Sequence, residues 1–179
     1  MEQLFAPWRI EWVTREDRTS DGCVFCTLPD DETDVDHLIV ARSEHAYVLL
    51  NNYPYNPGHV MVIPYHHTGE YQTLDSTVVT NHARLTQQTL DAMEAAISPD
   101  GFNTGMNLGT GAGGSIDAHL HTHIVPRWQE DTNFMAVISD TKLIVQALED
   151  TYQQLHEAFL SLPASTGNSD SGAVRLELS

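Results

Sequence analysis

Three histidines alternate along one short segment near the middle of the chain: His119, His121 and His123. A β-strand has a side-chain period of two, so a strand here would place all three imidazole rings on one face. Such a row is costly in an apolar core, because every ring carries nitrogens that need hydrogen-bond partners. The spacing therefore predicts a site for a metal, a nucleophile or a phosphate. The alternative is an exposed strand that is merely rich in histidine.

The chain has two cysteines, Cys23 and Cys26, separated by two residues. A structural disulfide is unusual in a cytosolic protein, whereas Cys-x-x-Cys suits either a metal site or a redox pair. The spacing favours one of these two uses over a disulfide staple. Two reduced cysteines in a core remain the alternative.

A glycine-rich segment, residues 109–115, precedes the histidines. Backbone N–H groups without side-chain obstruction can surround an anion. By itself such a segment is more often a plain connector. Next to a row of histidines, it predicts a phosphate site in which Ser115 adds a hydroxyl and Asn107 an amide.

The elements that must position these groups are short strands and two helices. Apolar periodicity predicts strands at residues 37–41, 46–50, 59–64, 102–108 and 119–126, and helices from about 75 to 97 and from about 139 to just before 163. Hairpin strands with two interspersed helices indicate an α+β fold with an antiparallel sheet of about five strands and helices on one side.

The expected organisation is a single domain over residues 1–163, whose first 20 residues form an arm packed on the body. Residues 164–179 are rich in serine, glycine, asparagine and aspartate. This composition predicts a flexible tail.

The charge balance restricts the partners of the protein. Aspartate and glutamate total 25 against 8 lysines and arginines, giving a net charge of −17, and Lys142 is the single lysine. Such a surface repels nucleic acid and anionic membranes. The sequence also has no apolar run of bilayer length and no signal peptide, so we expect a cytoplasmic protein. An acid-rich, lysine-poor composition is typical of halophiles; the alternative is an ordinary acidic protein.

The pattern His119-x-His121-x-His123, with Pro57-Gly58-His59 upstream, resembles the histidine triad (HIT) superfamily. Four segments are similar to its diadenosine tetraphosphate phosphorylase branch: residues 52–59, 101–103, 107–115 and 125–128. The resemblance runs from about residue 4 to residue 162. It implies a HIT-like fold and a homodimer.

The resemblance also implies a reaction, nucleotidyl transfer on a dinucleoside polyphosphate. His121 would attack an α-phosphate and carry AMP as a covalent intermediate. His123 and His59 would contact the reacting phosphates. Asn51 would hold the ribose, and Asn107, Gly114 and Ser115 would surround the phosphates.

The same resemblance favours inorganic phosphate as the acceptor, which would release ADP. HIT hydrolases usually carry glutamine in the glycine-rich segment, where this chain has Gly114. The alternatives are a nucleotide hydrolase or an adenylyl phosphoramidase of the same fold. A further alternative, from a different class, is a nucleotide-binding module without catalysis.

A second site is implied by related bacterial and archaeal triad proteins. There, Cys23, Cys26, His67 and His119 would bind one zinc ion. Two thiolates and two imidazoles suit tetrahedral Zn²⁺, and four protein ligands close its shell, so this zinc would be structural. His66 is the alternative third ligand.

The charge analysis predicts that salt stabilises the protein. The screening length falls from about 10 Å at 0.1 M to about 3 Å at 1 M salt, which removes most of the repulsion between carboxylates. The melting temperature and the capture of a polyphosphate substrate should both increase between about 0.1 M and 1 M KCl. Thermal melts across this range test the halophile interpretation, and a flat or falling melting temperature contradicts it.

Overall fold

The computed structural model describes residues 22–30, 33–129, 131 and 147–178. The expected N-terminal arm and the expected start of the second main helix near residue 139 lie outside these residues. Among the described residues, no helix has the length and apolar character needed to span a membrane.

A seven-stranded sheet forms the centre of the fold, with the order β4-β5-β3-β2-β1-β7-β6. Its strands are β1 (Ile39–Arg42), β2 (Ala46–Leu50), β3 (Val60–Pro64), β4 (Gly101–Gly105), β5 (Thr122–Arg127), β6 (Ser165–Asn168) and β7 (Val174–Leu176). Neighbouring strands are antiparallel except β1 and β7, which are parallel. The predicted α+β class is confirmed, but the described sheet has seven strands rather than about five.

Two helices cover one face of this sheet, α2 (Ser76–Ile97) and α3 (Leu148–Leu160). Their apolar stripes meet the central strands in one core, where Leu85, Met93, Leu155 and Phe159 are completely buried. The predicted pair of main helices on one side is therefore present. A one-turn helix, α1 (Val24–Thr27), lies on the opposite face, where Phe25 packs with the apolar residues of the second cluster.

Residues 164–178 differ from the predicted flexible tail, because they form β6, β7 and the turn between them. Val174 and Leu176 are buried on one side of β7, and β7 pairs with β1. Serine and glycine serve the turn, while only a few apolar residues anchor the strand. The average composition of residues 164–178 is polar, so it does not reveal the alternation of buried and exposed residues in β7.

One carboxylate, that of Asp34, fastens this hairpin to the sheet. Asp34 is 1% exposed. It accepts hydrogen bonds from the Arg42 guanidinium, from the hydroxyls of Ser169 and Ser171, and from the backbone N–H of Ala173 at 3.0 Å. Burial opposes its ionisation, but these hydrogen bonds outweigh burial and hold the pKa of Asp34 below its ordinary value.

We predict that Asp34→Asn lowers the free energy of unfolding by roughly 2–4 kcal/mol, because it leaves Arg42 half-buried without its counter-charge. The pKa of Asp34 is lower in the folded than in the unfolded state, so its contribution is complete above the unfolded pKa and disappears as the pH falls through the folded pKa. The difference between wild type and variant should therefore shrink on acidification.

Urea unfolding at several pH values measures this difference. Asp91→Asn, a change at an exposed position of α2, is the matched control and should alter stability little. Equal stability of Asp34→Asn and wild type at neutral pH would show that the buried pair does not fasten the hairpin.

Candidate active site and metal centre

Strand β5 brings His121 and His123 to the same region. The strand begins at Thr122, three residues later than predicted, and buried and half-buried residues alternate along it. His121 directly precedes it, and the rings of His121 and His123 lie 4.9 Å apart between centroids at an angle of 81°. The third histidine of the row, His119, points its ring nitrogens elsewhere, as described below.

The His121 ring is fixed in one tautomer. Its Nδ1 lies 2.9 Å from the backbone oxygen of His119. A carbonyl oxygen only accepts, so Nδ1 carries the proton and Nε2 keeps a lone pair. Burial lowers the pKa of His121, and the hydrogen bond to the His119 carbonyl offsets this in part. His121 is 6% exposed and presents a neutral, nucleophilic nitrogen.

A chain of hydrogen bonds fixes the tautomers of His59 and His123 in the same way. The backbone N–H of Tyr55 donates to His59 Nδ1 over 3.1 Å, so the proton of neutral His59 is on Nε2. His59 Nε2 lies 2.9 Å from His123 Nδ1 and donates to it. A neutral His123 therefore carries its proton on Nε2, where it can donate to a ligand.

His59 is completely buried, and two neighbours hold its ring. Tyr55 stacks on it with 4.9 Å between centroids, and the Asn51 amide donates to its Nδ1 over 3.3 Å. The Asn51 oxygen also accepts from the backbone N–H of Tyr53. His59 thus holds His123 by a hydrogen bond to its Nδ1. Asn51 contacts His59 and also lines the adjacent cavity.

A cavity of about 270 Å³ opens in front of His121 and His123. It brings together six of the predicted site residues: Asn51, Asn107, Gly114, Ser115, His121 and His123. His59, the seventh, stands behind His123. Apolar side chains line much of the rest of the cavity and are called its apolar wall: Val24, Phe25, Leu28, Leu38, Leu49, Met61 and Ile116. The lining therefore combines polar groups that suit a phosphate with an apolar surface that suits a flat ring.

Sequence reasoning missed this apolar wall. Part of it comes from α1 and the turn that follows, since Val24 and Phe25 lie between the two cysteines. The Phe25 ring is 5.1 Å from the His121 ring between centroids. The sequence did contain a signal for this wall, because Val24, Phe25 and Leu28 have the spacing of one apolar helix face within and just after the Cys-x-x-Cys segment. The segment was interpreted only through its cysteines.

The glycine-rich segment is shaped by a contact with Asn107. The Asn107 amide donates to the backbone oxygen of Ala112 over 2.7 Å, which closes the loop. A Cβ atom on Gly114 would lie 3.1 Å from the Cβ of Asn107, so the close approach favours glycine there. Gly113 adopts a left-handed conformation with φ of 78°, which also suits glycine.

Four side chains outside the cavity could hold a metal ion. One ligand atom each of Cys23, Cys26, His67 and His119 lies within 4.8 Å of the other three. The Nδ1 atoms of His67 and His119 are 3.3 Å apart, and the His119 Nδ1 lies 3.3 and 3.5 Å from the two sulfurs. Zinc bonds of about 2.3 Å to sulfur and 2.0–2.1 Å to nitrogen imply tetrahedral edges of about 3.3–3.4 Å between nitrogens, about 3.5–3.6 Å between nitrogen and sulfur, and about 3.8 Å between sulfurs, so the donor set fits.

The hydrogen bonds around His119 suit a ligand role. Its Nε2 donates to the backbone oxygen of Pro64 over 2.8 Å, which leaves Nδ1 with a lone pair facing the sulfurs. Burial lowers the pKa of His119 and so favours the neutral ring. Burial and the neighbouring Cys23 raise the pKa of the Cys26 thiol. Of the two candidate third ligands, His67 belongs to the group and His66 does not.

The fold, the cavity with its two histidines and the adjacent Cys/His group define a class of protein, and comparisons with known proteins identify the same class. A profile of the HIT domain matches residues 32–130. The AP-4-A phosphorylase of Mycobacterium tuberculosis is 39% identical over 162 residues, which cover 87% of this chain and 83% of that protein.

Solved structures show the same fold. A histidine triad nucleotide-binding protein from Sulfolobus tokodaii is 26% identical, with a TM-score of 0.66 over 79% of this chain and 95% of that one. A Zn-bound histidine triad family protein from Mycobacterium smegmatis is 24% identical, with a TM-score of 0.61 over 77% of this chain and 93% of that one. This chain belongs to the HIT domain family.

Proposed function

We propose that this protein is a nucleotidyl transferase that acts on dinucleoside polyphosphates. A nucleotide-processing role is supported by its similarity to AP-4-A phosphorylase over most of the chain. The observation that carries the proposal is the lone pair of His121 Nε2, held next to the Nε2–H donor of His123 in a cavity that both polar and apolar side chains line.

The proposed first step is covalent. His121 Nε2 attacks the α-phosphorus, and the bond from that phosphorus to the bridging oxygen breaks. His123 donates a hydrogen bond from Nε2 to the leaving oxygen and keeps its proton, which stabilises the negative charge that this oxygen gains. Diadenosine tetraphosphate would thus release ATP and leave AMP on His121. The proton on His121 Nδ1 stays in its hydrogen bond to the His119 carbonyl, which stabilises the positive charge that the ring acquires.

The proposed second step transfers AMP to inorganic phosphate. A phosphate oxygen attacks the same phosphorus, the N–P bond to His121 breaks, and ADP leaves. The phosphate attacks as its dianion and keeps its proton, while His123 Nε2 again donates a hydrogen bond to the phosphate oxygens. Gly114 and Ser115 line the cavity and would supply backbone N–H groups and a hydroxyl to this phosphate, and the missing side chain of Gly114 lets the loop lie against Asn107.

Asn51 is proposed to bind the ribose hydroxyls. An amide has two N–H groups and two oxygen lone pairs, so it can serve His59, Tyr53 and a ligand together. The apolar wall around Phe25 would receive the base. If water replaced phosphate in the second step, the protein would be a hydrolase; an adenylyl phosphoramidase and a nucleotide-binding module without catalysis are further alternatives.

The proposed metal is a zinc ion held by Cys23, Cys26, His67 and His119. With four protein ligands its role would be structural, because no position is left for a substrate. It would cross-link α1 to the segments that follow β3 and precede β5. The homodimer implied by the resemblance remains a prediction.

Product analysis with labelled phosphate tests the reaction. In diadenosine tetraphosphate and millimolar phosphate, we expect ADP that contains the labelled phosphate, and no ADP without phosphate. His121→Ala should abolish turnover while nucleotide binding persists, since the variant lacks only the nucleophile. His45→Ala is the control, because His45 is a half-buried histidine that does not line the cavity. AMP as the main product would make the protein a hydrolase, and turnover of His121→Ala within tenfold of wild type would remove the covalent step.

Metal analysis of the freshly purified protein should give about one zinc per chain. Cys23→Ser or His67→Ala should lose the metal and lower the melting temperature, because structural zinc contributes directly to folding. His66→Ala is the matched control, since His66 adjoins His67 in sequence but lies outside the group, and it should retain zinc. Protein without zinc, prepared without chelator, contradicts this assignment.

A further inference from the structure

The nucleophile proposed above stands just beyond the end of the paired sheet. The register of β5 with β3 ends at the pair Val62–Thr122, and its register with β4 ends at Gly105–His123. His121 is the residue before Thr122. Thr122 is therefore paired with β3 but not with β4. The sheet holds the backbone less firmly here, directly beside the proposed nucleophile His121.

A buried histidine on the opposite face of the sheet contacts this end of the ladder. His82 belongs to α2 and is 7% exposed. Its Nε2 lies 3.1 Å from the hydroxyl oxygen of Thr122 and 3.3 Å from the backbone oxygen of Val62. Because a carbonyl oxygen only accepts, Nε2 carries the proton and shares it between these two oxygens. One ring nitrogen thus joins both members of the last β3–β5 pair to α2.

Packing alone does not explain a histidine at this place. The surrounding core is apolar, with Leu85 and Val62 completely buried, and an imidazole is costly there unless it is hydrogen-bonded. An aliphatic side chain would fill the space without that cost. Burial lowers the pKa of His82, consistent with a neutral ring that acts as a hydrogen-bond donor.

We propose that His82 is a positioning residue for the nucleophile. It acts through Thr122, which lies between His121 and His123 in sequence and faces away from the cavity. By holding Thr122 where the ladder ends, His82 fixes the backbone on which both rings are mounted. This inference rests on the proposed role of His121, since small displacements of a reacting group cost much of the rate.

Four variants distinguish the effect of losing the His82–Thr122 hydrogen bond from the effect of changing the packing of these side chains. His82→Leu and Thr122→Val remove the donor or the hydroxyl, while His82→Gln and Thr122→Ser keep one. We expect kcat to fall roughly tenfold in the first two, with KM within about threefold of wild type, and to recover in the conservative pair. Combining His82→Leu with Thr122→Val should cost no more than either change alone, because both remove the same contact.

Thr89→Val is the matched control. Thr89 is also buried on α2, but its hydroxyl donates to the Leu85 carbonyl within the helix. It should reduce thermal stability about as much as Thr122→Val and leave kcat unchanged. If the control lowers kcat equally, or if His82→Leu lowers only the melting temperature, His82 is a structural residue and the proposal is wrong.

A measurement without substrate keeps this proposal distinct from the proposed reaction. Amide hydrogen exchange at Thr122 and His123 should accelerate about tenfold in His82→Leu relative to Thr89→Val, because the end of the strand loses its tether. The ¹⁵N shifts of the His121 ring should also move. Failure of phosphorolysis with these changes present refutes the reaction only, whereas unchanged exchange and shifts refute the positioning role.

Discussion

The hydrogen bond from His121 Nδ1 to the backbone oxygen of His119 is the interaction on which the site depends. It determines that Nε2 is the ring nitrogen that keeps a lone pair, the atom proposed to attack the α-phosphorus. It also links the two clusters, because the residue that supplies the carbonyl supplies, through its own ring, a candidate metal ligand. The His119 ring is anchored in turn by the Pro64 carbonyl at the end of β3. The proposed nucleophile, the candidate metal group and the central strand thus share one short segment.

The two faces of the sheet have different roles: one lines the cavity, and the other packs against the helices. Side chains on one face line the cavity and meet α1, whereas the other face belongs to α2, α3 and the main core. The alternation of β5 sends His123 to the cavity and Thr122 to the helices. Because the helix side is close-packed, it can hold the strand rigidly without entering the cavity.

Much of this arrangement was readable in the sequence, because it depends on local periodicity. The stripe of apolar residues predicted α2 almost to its ends. The alternation of histidines predicted all three rings on one face; His121 and His123 do lie together, whereas the His119 ring belongs to the candidate metal group. The features that were missed depend on contacts between distant residues. The strand at Val174 needs the Asp34 carboxylate, 139 residues away from Ala173 in the sequence. The role of Phe25 as cavity wall, and the direction in which His59 and His123 share a proton, follow only from the folded geometry.

The hairpin of β6 and β7 determines which edge of the sheet can accept a further strand. Without it, β1 would present an open edge of buried apolar residues, a template for unwanted pairing. The strand that replaces β1 as the outer edge, β6, is short, polar and irregular in register with β7, and so accepts another strand poorly. At the other end of the described sheet, β4 is regular and largely exposed. Among the described residues, the edge suited to backbone-to-backbone extension of the sheet is therefore β4, next to the strand that carries His123.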